Sequence, residues 1–410
     1  MIESRLKAAA ERIAREIPTP FYVVDPGGVE RDFTAMDKAW REWFPRFTLA
    51  YSYKSNPLTA FTRLLCALGA TAEVVSGPEL ETALKDGFPP DRILFDGPVK
   101  HAAELTRALA LGVGVQIDSA AEVEDVAAAI SEGGPRPRVC LRLAIGTDSG
   151  EWSRFGLMPD EVPRARRILA DAGVRVRGVH LGVGTLVRGP RTYRAAIRLW
   201  RETLPELAHD APEPFVLNIG GGFPPRGDTA DPAAPWAEFA AEVAEECGLL
   251  GLRPRDVHLV VEPGRSLAEE HGVLVARVAV RKRRAEGPDL LVLDAGTNLA
   301  RTVKSRSHPI EFVPSDPDDA ADAGGTRDPI GAGSAREPYA VYGNNCYEGD
   351  VFARVVDGPS SLRPGQLVLV GSVGAYDMPF AHVWVRPRPP VYAPAGTGHV
   401  LVREPGRAIR

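Results

Sequence analysis

Lys54 follows Tyr51-Ser52-Tyr53, at the point where an apolar run ends. A lysine there has two readings. It is either a cation leaving the core for solvent, or a Schiff-base amine whose pKa is lowered by burial. Glu262, in Glu262-Pro263-Gly264-Arg265, is either a helix-start carboxylate or a group that would keep a pyridine nitrogen protonated and strengthen an electron sink. Three further features suit a phosphate. The triplet Gly220-Gly221-Gly222 lets backbone N–H groups approach an anion closely. The turn Gly182-Val183-Gly184-Thr185 adds more N–H groups and a hydroxyl, and Arg265 adds a planar, permanent charge. Each alone is a common turn or surface residue. Together at the ends of successive apolar runs they point to a bound anionic cofactor.

Such residues need a scaffold that gathers strand ends. Strand-like runs occur at 47–53, 71–75, 92–95, 114–117, 138–143, 176–181, 214–219 and 257–261. Segments of helical periodicity lie between them, at 77–86, 101–110, 119–131, 159–172, 190–208 and 235–249. Alternating strands and helices imply a parallel sheet. Eight units fit a closed (β/α)8 barrel, typically about 250 residues, better than an open doubly wound sheet, which has no reason to stop at eight. Sites in such barrels form at the C-terminal strand ends. Lys54, Ser76, Asp96, Asp118, Arg142, His180, the glycine triplet and Glu262 all fall there.

The pattern changes after residue 265. HGVLVARVAV (271–280), DLLVLDA (289–295), PYAVYG (338–343), DVFARVV (350–356) and QLVLVGSV (366–373) are β-branched runs separated by turns. They predict a mostly antiparallel β domain that also takes in the strand-like TPFYVVD at 19–25. The expected division is residues 27–265 for the barrel, and 1–26 with 266–410 for the β domain. The Asp-, Ala-, Gly- and Pro-rich stretch 314–337 reads as a loop or disordered insert.

Bulk properties exclude several classes. A net charge of -5 over 410 residues gives no reason to expect nucleic acid or an anionic membrane as partner. No apolar run is long enough for a membrane span. The charge-mixed, Ala-rich start, MIESRLKAAAERIAREI, reads as an amphipathic helix and not as a signal peptide. The four cysteines, Cys66, Cys140, Cys247 and Cys346, lack metal-ligand or C-x-x-C spacing, so no metal is expected and a reducing, cytoplasmic setting is. Cys66 and Cys140 sit in apolar runs and read as core packing.

A set of motifs occurs in one order: YSYKSNP (51–57), VVSGPEL (74–80), FDGPVK (95–100), IDSAAEVEDV (117–126), SRFGL (153–157), GVHLGVGT (178–185), NIGGGF (218–223), EPGR (262–265), CYEGD (346–350) and GAY (374–376). By these the chain resembles the alanine-racemase-like, fold type III pyridoxal-phosphate decarboxylases, the group of ornithine, arginine and diaminopimelate decarboxylases. The resemblance implies that Lys54 carries pyridoxal 5'-phosphate. It implies that Gly220, Gly221, Gly222, Arg265, Tyr376 and Thr185 (where the family has serine) hold the phosphate, and that Glu262 holds the pyridine nitrogen. Cys346 looks like the cysteine that reaches a partner subunit's site and returns a proton after carbon dioxide leaves. Arg154 and Asp350 match positions of an ion pair across the family's dimer interface. A homodimer with shared sites is the expected assembly, and a small-molecule amino acid the expected substrate.

The chain also departs from the family's pattern. Gly182 stands where family members place a histidine stacked on the cofactor ring. Either His180, two residues earlier, substitutes for it, or the face lies open for a larger substrate. Tyr347, followed by Glu348, stands where the best-known members have an acidic residue for the substrate's distal amine. Arg301 matches the arginine that binds a distal carboxylate in the diaminopimelate enzymes, but Ser305 replaces their tyrosine. These departures argue against simple diaminopimelate or ornithine as substrate. The expected reaction is decarboxylation of an amino acid or amino-acid conjugate by Lys54, Glu262, Cys346 and His180, with Arg301, Tyr347 and Glu348 binding substrate. The rival readings are an amino-acid racemase on the same fold, disfavoured by Glu262 and Cys346, and a non-catalytic homologue acting as a binding protein.

Overall fold

The computed structural model describes residues 1–130, 137–146, 151–227, 234–313 and 335–406. The chain divides into two compact units: Val29–Leu267, and Met1–Gly28 with Ala268–Arg410. After β1 (Phe21–Val24), which belongs to the latter, eight strands follow in the former. They are β2 (Arg46–Ser52), β3 (Thr71–Val74), β4 (Ile93–Phe95), β5 (Gly114–Ile117), β6 (Arg138–Arg142), β7 (Val176–His180), β8 (Phe215–Asn218) and β9 (Val257–Val261). All neighbours pair in parallel and β9 returns to β2, closing the barrel. The strands read as nearly continuous apolar runs because a parallel sheet is covered on both faces. Gly178 sets how closely two of them pass: a Cβ there would lie 1.9 Å from the Val216 carbonyl oxygen on β8.

Local sequence pins the rim. Ser76 and Ser119 each cap a helix, at Gly77–Lys85 and Ala120–Ala129, by accepting from the backbone N–H of Glu79 and Glu122. Those two glutamates reach back to the N–H groups of Val75 and Asp118, at 2.8 and 2.7 Å. Both loops are thereby tied to the strands they leave. The run expected to be helical over 190–208 is two helices, Arg191–Leu199 and Thr203–Asp210. The break is at Trp200, whose indole N–H turns inward to the Ala144 carbonyl at 2.9 Å.

The second unit is a mixed sheet. Beyond β1 it contains β10 (Gly272–Lys282), β11 (Asp289–Leu293), β12 (Ile310–Phe312), β13 (Arg336–Tyr342), β14 (Val351–Pro359), β15 (Leu367–Val370), β16 (Val391–Ala395) and β17 (Gly398–Arg403). Most pairings are antiparallel, as expected, but β1 with β16 and β11 with β13 are parallel. Three strands, β12, β16 and β17, were not legible: β12 is very short and the other two carry Pro and Gly. The helix Ser4–Ile13 buries Leu6, Ala9, Ala10 and Ile13 against Phe21, Val273 and Leu369, as its amphipathic pattern predicts. Of the stretch expected to be a loop at 314–337, residues 314–334 lie outside the described residues. Arg336 and Glu337 are not loop; they open β13, where Arg336 pairs with Pro359 of β14.

A buried ion pair holds one side of the barrel mouth. Lys100 Nζ donates to the carbonyls of Gly97 and Gln116, both at 2.7 Å, and lies 2.8 Å from Glu122 Oε1. Burial raises the pKa of Glu122, and Lys100 opposes that rise. Removing one partner of such a pair strands a buried charge and costs about 3–5 kcal/mol, whereas replacing both by apolar groups is often neutral. Lys100→Met is therefore expected to lose about that much stability in urea unfolding. The double variant Lys100→Met, Glu122→Leu should recover most of it.

Candidate active site

Lys54 lies in the single 3-10 turn Tyr53–Ser55 that follows β2. Its Nζ donates to both carboxylate oxygens of Glu73, at 2.7 and 2.6 Å. Glu73 sits on the neighbouring strand opposite Ser52, fully buried, and also accepts from the Ser52 hydroxyl. Burial alone would lower the lysine pKa, as expected from the sequence. The carboxylates of Glu73, Asp96 and Glu262 outweigh it and hold the ammonium above its ordinary range. The expectation of a depressed amine is thus corrected: the amine is half-buried beside carboxylates and not in an apolar pocket.

Across the rim, a second buried group of charges forms on β4, β7 and β9. His180 Nδ1 lies 2.9 Å from Asp96 Oδ1, and its Nε2 faces Glu262 Oε2 at 3.6 Å. Burial opposes the charge on His180, but Asp96 and Glu262 favour it and raise its pKa. Burial also opposes ionisation of Asp96; His180, Arg142 and Lys54 overcome it and hold that carboxyl well below its usual range. Glu262 goes the other way: burial dominates and pushes it up to about 7, against the pull of His180. Asn218 orients it, donating Nδ2 to Glu262 Oε1 at 2.6 Å while its own Oδ1 accepts from Gly220 N at 2.9 Å.

The glycine triplet follows β8 directly. Gly220 and Gly222 have φ of 71° and 100°, where side chains are strained. A Cβ on Gly221 would sit 2.3 Å from the Glu262 carbonyl, and one on Gly222 would sit 2.6 Å from the Gly184 carbonyl. The two glycine turns therefore touch, and Val187 N–H to Gly222 carbonyl at 2.9 Å joins them. An aromatic stack supports this edge. Phe223 stacks on Tyr193, and the Tyr193 hydroxyl donates to the Gly221 carbonyl at 2.8 Å. Thr185 is exposed at the tip of the Gly182–Thr185 turn, and Arg265 begins the short helix Arg265–Ala268 beyond β9. Gly264 lets that turn come down on the lysine turn, since a Cβ would meet Ser55 Cβ at 2.7 Å.

Beside Gly182 stands the side chain of Arg142. A Cβ at Gly182 would lie 2.8 Å from Arg142 Nη2, so the space beside it belongs to the Arg142 guanidinium. Arg142 is held by Asp118 at 3.1 Å and by the face of Phe155 at 4.5 Å. His180 Nδ1 is held by Asp96 at 2.9 Å.

The remaining sequence-named residues, Arg154 of the barrel apart, lie in the other unit. Cys346, Tyr347 and Glu348 form an exposed loop after β13. Arg301 and Tyr347 share a cavity with Lys304, and Glu348 lines a second groove, with Tyr342 and Arg354, that Lys304 also borders. Tyr376 has a left-handed φ of 64°, a strained conformation for a side chain of that size. Asp350 is buried and accepts from Thr297 N, Thr297 Oγ1 and Asn345 N, each at 2.7 Å. It therefore folds its own loop. Arg154 lies over the Phe155 ring.

Two residues escaped notice in the sequence. Glu73 had a signal, a carboxylate in the middle of the otherwise apolar strand Thr71–Val74. Asn218 had none beyond its place before the triplet.

The donors present fit pyridoxal phosphate. The glycine turns leave close backbone access for a phosphate, and the amine of Lys54 and the buried carboxyl of Glu262 share one rim. The His180 Nε2 is buried without a hydrogen-bond partner among the described residues.

Comparison with known proteins agrees. The family model for the pyridoxal-dependent decarboxylase, pyridoxal binding domain, matches residues 30–269. The diaminopimelate decarboxylase of Deinococcus radiodurans is 30% identical, over 93% of this chain and 91% of that protein. That of Methanothermobacter thermautotrophicus is 29% identical, over 97% and 90%. Among solved structures, diaminopimelate decarboxylase from Helicobacter pylori complexed with L-lysine superposes with a TM-score of 0.81 at 22% identity, covering 97% of this chain and 96% of that one. The arginine decarboxylase of Paramecium bursaria Chlorella virus gives 0.78 at 23%, over 95% and 100%. At such identities the structures speak for the fold alone. The rim chemistry, the closed barrel and the family match over more than half of the chain lead to one assignment: the chain belongs to the pyridoxal-dependent decarboxylases.

Proposed function

We propose that this enzyme removes the α-carboxyl group of an amino acid or amino-acid conjugate, with Lys54 carrying the cofactor, and releases carbon dioxide and an amine. The observation that carries this reading is the convergence of Lys54, Glu73, His180 and Glu262 on one buried rim beside the glycine cradle. Pyridoxal phosphate, when bound, supplies a sink for the electron pair left as the C–C bond breaks. Everything else is the work of this chain's residues. Gly220, Gly221, Gly222, Thr185, Arg265 and Tyr376 would hold the phosphate, and Lys54 would anchor the aldehyde end. Before it can do so, Lys54 must lose its proton and part from Glu73. Glu262, turned by Asn218, would hold a proton at the pyridine nitrogen. His180, braced by Asp96, sets the field around Glu262. Arg142, filling the space that Gly182 leaves, is the positioning residue on that face.

The proton that replaces the lost carboxyl group is assigned to the Cys346 thiol. Cys346 is exposed, as it would need to be to enter the site of a second copy. We accordingly read the enzyme as a homodimer with shared sites. Four free cysteines support a cytoplasmic setting, and no described helix is long and apolar enough to cross a membrane. Diaminopimelate is the substrate named for several relatives. Tyr347 and Ser305 in this chain favour a different distal group.

The deciding assay is carbon dioxide release by cofactor-loaded protein from lysine, ornithine, arginine and diaminopimelate in both chiral forms, and from acylated diamino acids. Release from at least one is expected; racemisation without gas would overturn the reading. Glu262→Gln should lower turnover on the order of a hundredfold or more, and unchanged turnover would remove Glu262 from the electron-sink role. Glu73→Gln tests the lysine's electrostatics. The neutral amine captures the aldehyde, so capture rises with pH through the raised lysine pKa. Removing the nearest carboxylate lowers that pKa, so the stopped-flow capture profile should move to lower pH by about one unit or more.

A further inference from the structure

The 3-10 turn Arg301–Lys304 and the loop bearing Tyr347 enclose a cavity of about 480 Å³. Its wall contains Arg301, Lys304, Asn298, Tyr347 and Trp384, and no lining residue is acidic. Lys304 Nζ donates to the Tyr347 hydroxyl at 2.7 Å and lies 5.2 Å from the centre of its ring. Tyr347 in turn packs on Trp384 at 5.3 Å. The Arg301 guanidinium lies 6.0 Å from the centre of the Phe380 ring. Among the described residues neither Arg301 nor Lys304 has a carboxylate partner. Other cations of the same unit do: Arg306 pairs with Glu269 at 2.5 Å and Arg281 with Asp289 at 2.8 Å.

Two uncompensated cations at one cavity, steadied by aromatic rings, make a receptor awaiting an anion. The guanidinium of Arg301 can take one carboxylate through two parallel hydrogen bonds, and Lys304 can take a second as a point charge. The Tyr347 hydroxyl accepts from Lys304, and its own hydrogen faces only the long 3.5 Å contact to Thr297 Oγ1, which a closer anion oxygen can replace. The volume lies in the range of small-molecule sites and exceeds what a single carboxyl group fills. A distal ammonium would meet two positive charges and no acceptor carboxylate.

We propose that this cavity receives the far end of the substrate as a group bearing two or more carboxylates and no ammonium. The class is then an amino acid joined to a di- or tricarboxylic acid. This rests on the decarboxylase reading above, with Tyr347 directly after Cys346, and adds the substrate class to it.

Citrate is the probe. Calorimetric titration of the full-length, cofactor-loaded protein should show binding that weakens tenfold or more in both Lys304→Met and Arg301→Gln. These exposed positions should leave thermal melting unaltered, which separates loss of the receptor from loss of the fold. Tyr347→Phe should weaken binding less. A citryl- or succinyl-diamino acid should then release carbon dioxide with a higher kcat/KM than the free diamino acid, and Lys304→Met should raise its KM more than it lowers kcat. Absence of citrate binding, or binding that both variants leave unchanged, overturns the receptor. If free lysine or ornithine is decarboxylated while citrate has no effect, the receptor falls and the decarboxylase reading stands. If citrate binds through Lys304 but no substrate releases gas, the decarboxylase reading falls and with it the cavity's role in holding substrate.

Discussion

The pairing of β9 with β2, Leu49 opposite Val261, is the constraint on which the site depends. It joins the last strand of the barrel to the first and brings Glu262 onto the same rim as Lys54. The next pairing, β2 with β3, sets Ser52 against Glu73 and so gives the lysine its counter-charge. Closure also fixes distances that loops alone would not. A parallel strand pair has a definite register, and a slip of one residue would turn each of these side chains to the other face of the sheet. The close approach at Gly178 fixes the spacing of β7 and β8, and hence of His180 and Asn218.

Burial of several charges in one place then sets their protonation. Lys54 is kept charged because three carboxylates surround it, against the tendency of burial. Asp96 and His180 form a charge pair, while burial pushes the Glu262 carboxyl up to about 7. Such a carboxyl is poised: it is readily ionised by a cationic partner and readily protonated without one. The same group placed on an open surface would be ionised throughout the neutral range. The site thus gains its tuning from the barrel's low-dielectric mouth and not from any unusual side chain.

The β unit uses a different strategy. Its cations at Arg301 and Lys304 are exposed and held by aromatic faces, where those on the sheet are neutralised by nearby acids. Asp350 closes the loop that presents Cys346 and Tyr347 by accepting three hydrogen bonds within that unit.

Much of this was legible in the sequence. Strand and helix alternation marked all eight barrel strands, because a parallel strand buried on both faces leaves an apolar run bounded by polar rim residues. Lys54, Glu262 and the glycine triplet stood out because each follows such a run. Short or Pro-containing strands such as β12 and β16 did not, since they have too few residues for a period to show. Only the tertiary structure decided what surrounds each group. Sequence spacing says nothing of which strands become neighbours, so Glu73 as partner of Lys54, Asn218 as support of Glu262, and Arg142 in the space at Gly182 were hidden. The same holds for the lysine's charge. Burial was readable from its neighbours in the chain, but the sign of the pKa shift depends on carboxylates brought from other strands. The sequence by itself determined the scaffold and which residues stand at the barrel rim, through patterns that local chemistry imposes. Tertiary structure decided their protonation and their partners, because electrostatic interactions act through space and closure of the barrel alone sets those distances.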